Sequence, residues 1–327
     1  MSDPGQEWRA ATETAAVVAR TGYRLLSAAG PDMLPLLNRL STGEVLDLPP
    51  GAGAQTVLTS AKGRVIERFW VHQAGDGPLW LIGGCGDAQP ILDHFMRYTF
   101  AEQTDLTDRS ADHRLFSVIG PRSRDLIDRW LPTTLGPLGI AATDRIHGPT
   151  WILGHDAHGT QGWSLLTDVD HADEARETLV ADAATMGGSA IGSEIAECWR
   201  ISSGLPATGF EISEKWNPLE AGLRDAVSFD KGCYIGQEVV ARLHNYDKVS
   251  RSLVQLRWDD PGHGDIGSKL LHGDKTVGEV TSFIAHPEGG AIGLGLVKHR
   301  SLDARTPLAF SGADVAVTWN PLSQASS

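Results

Sequence analysis

From Arg251 onward the sequence loses helical periodicity altogether. "RSLVQLRW", "SKLLHGDKTVGEVTS", "GAIGLGLVK" and "DVAVTW" are short strands separated by Gly, Pro and Asp turns. Such a run predicts a small antiparallel β-barrel over 251–327. The text before it mixes periods. "PDMLPLLNRL" has apolar residues at helical spacing, and "QTVLTSAKGRVIERFWVH" reads as two strands joined by a turn at Ala61–Gly63. "PLWLIGG" is a strand ahead of an amphipathic helix, "AQPILDHFMRYTF". Next come the strand "RLFSVIG" and the helix "PRSRDLIDRWL", with Pro121 in its first turn. Two strands with a long loop, "TWILGHDAHGTQGWSLLTD", and the helix "DEARETLVADAATMG" complete a ferredoxin-like α+β unit over 113–190. The expected class is α+β. It divides at 1–112, 113–190, 191–250 and 251–327.

At 327 residues the chain is long enough for two or three domains with proper cores. "MSDPGQEWRA" lacks the basic-then-apolar pattern of a signal peptide, and no apolar run approaches the length of a membrane span. Cys85, Cys198 and Cys233 form no CxxC pair and no zinc spacing, which points to free thiols in a reducing compartment, the cytoplasm. A net charge of −13 opposes broad binding to nucleic acid or anionic membranes. A small anion would need a local basic cluster.

Few residues stand out for chemistry. His155 and His158 flank Asp156 in a Gly-bounded hairpin loop without a further ligand in view, so no metal site is expected. "GAGAQT" lacks the spacing of a dinucleotide loop, and GxxxxGK[ST] and GxSxG are absent. Cys198 shares the buried stripe of "SEIAECWRISSG" with Ile195, and Cys85 sits at a Gly-rich strand end. Cys233 precedes the helical run "IGQEVVARLH", whose first turn holds Gln237 and Glu238. Helix N–H groups and Lys231 would favour its thiolate, and Gly232 would allow close backbone approach. A buried structural cysteine is the alternative. Glu220 follows Pro218 in "RISSGLPATGFEISEKWNPLEAGL", where Gly204 and Pro206 end a helix. A partly buried carboxylate needs donors. Either a pterin with adjacent ring N–H and amino groups supplies them, or Arg224 four residues on does.

These stretches carry a resemblance. "KGCYIGQE", Lys231–Glu238, resembles the signature of the YgfZ-type folate-binding proteins, relatives of the glycine-cleavage aminomethyltransferases (GcvT). "AKGRVIERFWVH", "FSVIGPRS", "RISSGLPATGFEISEKWNPLEAGL" and "VGEVTS…AIGLGLVK" resemble further elements of that superfamily, so the likeness runs from about Tyr23 to the C-terminus. It implies a three-domain ring around a folate tunnel, with segments crossing between domains. It also implies a tetrahydrofolate ligand, Glu220 as the pterin-reading carboxylate and Cys233 as the characteristic reactive residue. Lys231, Tyr234, Gln237, Arg242 and Arg251 are the further candidate folate contacts, Arg242 and Arg251 with Lys248 forming the anion patch. The implied role is a folate-dependent one in making or maintaining iron–sulfur proteins, with client or assembly proteins as partners. The alternative is an aminomethyltransferase-like one-carbon transferase.

Two departures bear on that choice. Aminomethyltransferases place Asn and a catalytic Asp after the strand matching "LWLIGG", whereas this chain reads "GGCGDAQP", with Asp87 out of register. After the signature, "NYDKVSR" replaces the usual Arg-Gly pair. A typical glycine-cleavage transferase is therefore not expected.

Overall fold

The alternating pattern around "AKGR" becomes the antiparallel strands Gly53–Thr59 and Val65–Gln73. They head a five-stranded antiparallel sheet that continues through Leu79–Cys85, Tyr23–Ala29 and Asp105–Asp108. In this structure, a computed structural model, the described residues are 3–322 apart from 76, 132, 158–159, 299–305 and 314. His158 thus lies outside the described residues. Helices Met33–Leu40 and Gln89–Arg97 lay Leu36, Leu37, Leu40, Ile91 and Phe95 on one face of the sheet, against Phe69, Val71 and Leu81. The other face turns Leu25, Trp70, Trp80 and Ile82 onto Leu115, Leu153 and Leu166 of a second sheet. Both faces are buried, which is why "WLIGG" and "FWV" read as continuous apolar runs.

The second sheet has six strands, ordered Ser189–Ala190, Ala16–Arg20, His113–Ile119, Thr160–Asp168, Thr150–Ala157, Ile140–Ala142. Helices Ser123–Ile127 and Ala172–Ala184 cover its outer face. This is the expected ferredoxin-like arrangement with two additions, one of them the edge strand Ile140–Ala142 beside Thr150–Ala157. Ala16–Arg20 enters between the first and last strands of the 113–190 unit, antiparallel to His113–Ile119 and parallel to Ser189–Ala190. The chain therefore crosses from the second sheet to the first at Gly22 and returns at His113. The pair Thr150–Ala157 and Thr160–Asp168 is in register up to Ala157↔Thr160, so the expected long loop is strand instead. Cross-strand pairing overrides the Gly-rich text there.

From Ser252 the chain closes an antiparallel barrel, ordered Ser252–Trp258, Ala291–Val297, Lys275–Ala285, Lys269–His272, Leu308–Phe310, Ala316–Pro321. Trp258, Leu270, Phe310 and Trp319 fill it. Helix Pro4–Glu13 and helix Ser193–Ser202 join the parts: Trp8, Ile195, Cys198 and Ile201 pack with Leu253, Leu294 and Leu296 of the barrel. No helix among the described residues is long and apolar enough to cross a membrane.

Candidate functional site

Between the end of helix Ser193–Ser202 and the barrel, residues 204–251 form mostly turns. Gly204 takes a φ of +70°, as a helix-terminating glycine does. Downstream, the Asn217 side chain accepts the N–H groups of Leu219 and Glu220, each at 3.0 Å, and the Ala221 N–H bonds the Asn217 carbonyl. That local turn fixes Glu220, which is 5% exposed. Its carboxylate accepts from the Ser250 hydroxyl at 3.2 Å and the Asn217 N–H at 3.5 Å, and lies 3.8 Å from the Arg64 guanidinium. Arg224, the intrachain partner considered from spacing, instead faces His244 Nδ1 at 3.0 Å and lies over the Phe229 ring. The cation near Glu220 comes from the turn between the first two strands of the five-stranded sheet, a residue that sequence spacing could not pair with it.

Two other buried glutamates show what a closed site looks like. Glu67, fully buried, accepts from Thr208 Oγ1 and the Arg68 N–H at 2.9 Å each and pairs with Arg24. Glu211, also fully buried, takes Ser282 Oγ at 2.6 Å, the Ala207 N–H at 3.0 Å and Arg200 at 3.4 Å. A carboxylate offers about four lone-pair sites. Glu220 has longer contacts than either and keeps acceptor capacity.

The signature segment packs against the same turn. Gly236, with φ +84°, immediately precedes helix Gln237–Asn245, and a Cβ there would lie 2.6 Å from the Ser60 carbonyl and 3.0 Å from Gly63 Cα. Gly63 in turn abuts Val239. The glycine that permits close approach is thus Gly236; Gly232, expected in that role, has open space around it. The position of Lys231 also corrects the expectation. Its amine is buried and donates to Asn38 O and Oδ1 at 2.8 Å, to Ser41 O at 3.0 Å and to Gly43 O. The ammonium is consumed by the chain's own oxygens and ties the signature to the segment after helix Met33–Leu40. Tyr234 is buried with the Lys231 amine 5.6 Å from its ring centre, and burial pushes its hydroxyl up to about 12. Gln237 is half-buried, its amide 3.5 Å from the Gly232 carbonyl. Arg242 is exposed.

Cys233 is exposed, as is Cys85, while Cys198 is buried. Burial pushes the Cys198 thiol up to about 11. At neutral pH iodoacetamide should therefore alkylate Cys233 and Cys85 in the native protein and reach Cys198 only after unfolding. Peptide mapping reads this out, and native-state protection of Cys233 would contradict its exposure. His155 Nε2 meets Ser164 Oγ at 2.6 Å, and its ring packs on Trp70. Asp87 accepts the Gln89 N–H at 3.0 Å, so its carboxylate caps helix Gln89–Arg97.

Beside Glu220 opens a cavity of about 360 Å³ between the turn segment and the barrel. Lys215, Trp216 and Arg251 line it from one side, and Lys269, Glu279 and Lys298 from the other. Arg251 lies over the Trp216 ring at 5.6 Å. Of the basic patch expected from sequence, Arg251 lines this cavity, whereas Arg242 and Lys248 do not. The barrel lysines carried no signal in the sequence, since nothing in "GSKLL" or "LVKHR" distinguishes them from ordinary solvated charges.

A family model described as the GCVT N-terminal domain matches residues 3–231. A chloroplastic Arabidopsis thaliana protein named as a transferase is 29% identical over 87% of this chain, which spans 66% of that relative's length. An aminomethyltransferase of Symbiobacterium thermophilum is 26% identical over 85% of this chain and 76% of its own. The crystal structure of the glycine cleavage system aminomethyltransferase T from Bartonella henselae superposes with a TM-score of 0.80 at 18% identity, covering 95% of this chain and 86% of that one. That similarity describes the fold.

Proposed function

Because the chain belongs to the GCVT N-terminal domain family, we propose that it binds a reduced folate, tetrahydrofolate or a derivative, with Glu220 reading the pterin. One observation carries this reading. Glu220 is nearly as buried as Glu67 and Glu211, yet its contacts of 3.2, 3.5 and 3.8 Å leave it open to a donor pair. A pterin ring N–H and its adjacent amino group form such a pair, spaced for the two oxygens of one carboxylate. Arg64 and Ser250 orient the carboxylate.

Within the family we assign the chain to the YgfZ-type branch, on the strength of "KGCYIGQE" and of an exposed Cys233 on that segment. The role is then support of iron–sulfur proteins in a folate-dependent manner, with Cys233 as the group offered to client or assembly proteins. Placement in the cytoplasm is part of the same proposal. A second reading, one-carbon transfer, has the names of the relatives in its favour. Against it stands the engagement of the Asp87 carboxylate as a helix cap.

Calorimetric titration with tetrahydrofolate tests the proposal. Wild type should bind, and Glu220→Gln should bind about 1.5–3 kcal/mol more weakly, because a charge-assisted pair becomes a neutral and partly mismatched one. Unchanged affinity would remove Glu220 from the site. Incubating the same preparation with an aminomethyl-lipoyl carrier separates the two readings: no transfer is expected, and turnover at enzymatic rates would promote the transferase.

A further inference from the structure

The layer between the two sheets holds a basic cluster among its apolar side chains. Arg68 and His72 flank Trp70 on strand Val65–Gln73, and His155 packs on Trp70 from strand Thr150–Ala157 of the other sheet. The Arg68 guanidinium carbon lies 4.6 Å from the Trp70 ring centre and the His155 ring 5.2 Å from it, while the His72 ring is 6.2 Å from that of His155. Arg20 ends strand Ala16–Arg20 opposite Leu115 of the same layer, and its charge acts on both Arg68 and His155. None of the four lines the cavity beside Glu220.

The cluster has no counter-charge. No carboxylate among the described residues pairs with Arg20, Arg68, His72 or His155. Glu67, next to Arg68 in sequence, turns to the other face of its sheet, where Thr208 and Arg24 take its carboxylate. Arg68 is only partly exposed, and burial lowers its guanidinium to about 10, so it stays a cation at neutral pH. A desolvated charge without a partner is costly.

Hydrogen bonds are missing in the same place. Arg68 Nε, His72 Nε2 and His155 Nδ1 are all buried without a partner. On the far side of its ring, His155 Nε2 meets Ser164 Oγ at 2.6 Å, and Ser164 Oγ meets Ser117 Oγ at 3.2 Å. With the Ser164 hydroxyl donating to Nε2, the one proton of the neutral imidazole sits on Nδ1 and is left as a free donor. Arg68 Nε–H is a donor in every state. A cation does not fit. No group of three His, Cys, Asp or Glu side chains among the described residues could hold a metal ion, and the two guanidinium groups would repel one.

We propose that this cluster binds a small anion, a halide or an oxyanion of formate or phosphate size, with Arg68 as its counter-charge and His155 Nδ1–H as a donor. The anion neutralises a charge that the chain leaves uncompensated, and it joins the two sheets through groups that each contributes. The site is independent of folate.

Thermal unfolding at fixed ionic strength tests this, with sodium gluconate replaced stepwise by sodium chloride, formate or phosphate in three separate series. At least one of the three should raise the wild-type midpoint along a saturating curve, by roughly 3 °C or more at 100 mM. The series that saturates identifies the anion. General salt stabilisation grows without saturating and is shared by all variants. Arg68→Met should therefore lose the saturating part and keep only that background. His155→Phe preserves the packing on Trp70 but removes the donor, so its half-saturating concentration should rise about fivefold or more. This second variant decides the matter should Arg68→Met fail to fold. Absence of a saturating rise in wild type with all three anions would refute the site, as would an undiminished rise in Arg68→Met or an unchanged half-saturation in His155→Phe.

Discussion

Between pH 6.5 and about pH 5 the folded state should lose roughly 2 kcal/mol of stability to His72 alone. His72 is fully buried between the two sheets, and burial holds its imidazole at about 3 against an ordinary 6.5. Below 6.5 an unfolded chain binds a proton there that the folded chain does not. Protons therefore favour the unfolded state, and stability falls as pH falls, by about 1.4 kcal/mol per pH unit until the folded imidazole itself titrates. His155, whose ring centre is 6.2 Å from that of His72, is also driven well below its ordinary value by burial. It adds to the same slope. Urea unfolding of wild type and His72→Gln across this range is the check. The variant should lose much of the slope, and parallel pH profiles for the two proteins would place the acid sensitivity elsewhere.

Lys231→Met should cost about 3 kcal/mol or more. The buried amine satisfies Asn38 O, Asn38 Oδ1, Ser41 O and Gly43 O, and methionine fills the space without donating to any of them. Leaving several acceptors buried and unpaired carries the full desolvation penalty, well above the net worth of an ordinary hydrogen bond. Chemical denaturation measures the loss. Folate affinity of the fraction that remains folded should change less than in Glu220→Gln, because Lys231 braces the signature segment and does not present a charge to the ligand. A loss below about 1 kcal/mol, or a collapse of affinity without loss of stability, would restore Lys231 to a direct role.

Much of the architecture was legible because it rests on local periodicity. The strand pair around "AKGR", the helix of Cys198 and the helix-free run after Arg251 each follow from spacing over a dozen residues, and each is in the structure. Glu220 could be singled out for a similar reason: a carboxylate after Pro218 in an apolar stretch announces burial. What surrounds it could not be read. Arg64 and Ser250 reach Glu220 from 156 and 30 residues away in sequence, and Ala16–Arg20 enters a sheet whose other strands begin at His113. Pairings at that separation are decided by how sheets twist and close, and no local pattern encodes them. The signature motif shows the division within single residues. Sequence marked Lys231 and the glycines as special, but only tertiary packing decided that the ammonium faces the chain's own carbonyls and that Gly236, not Gly232, meets a neighbouring turn. The cation cavity lies wholly on that second side. Lys269 and Lys298 are unremarkable in a row of letters, and they come to line one cavity with Lys215 and Arg251 only because the barrel closes.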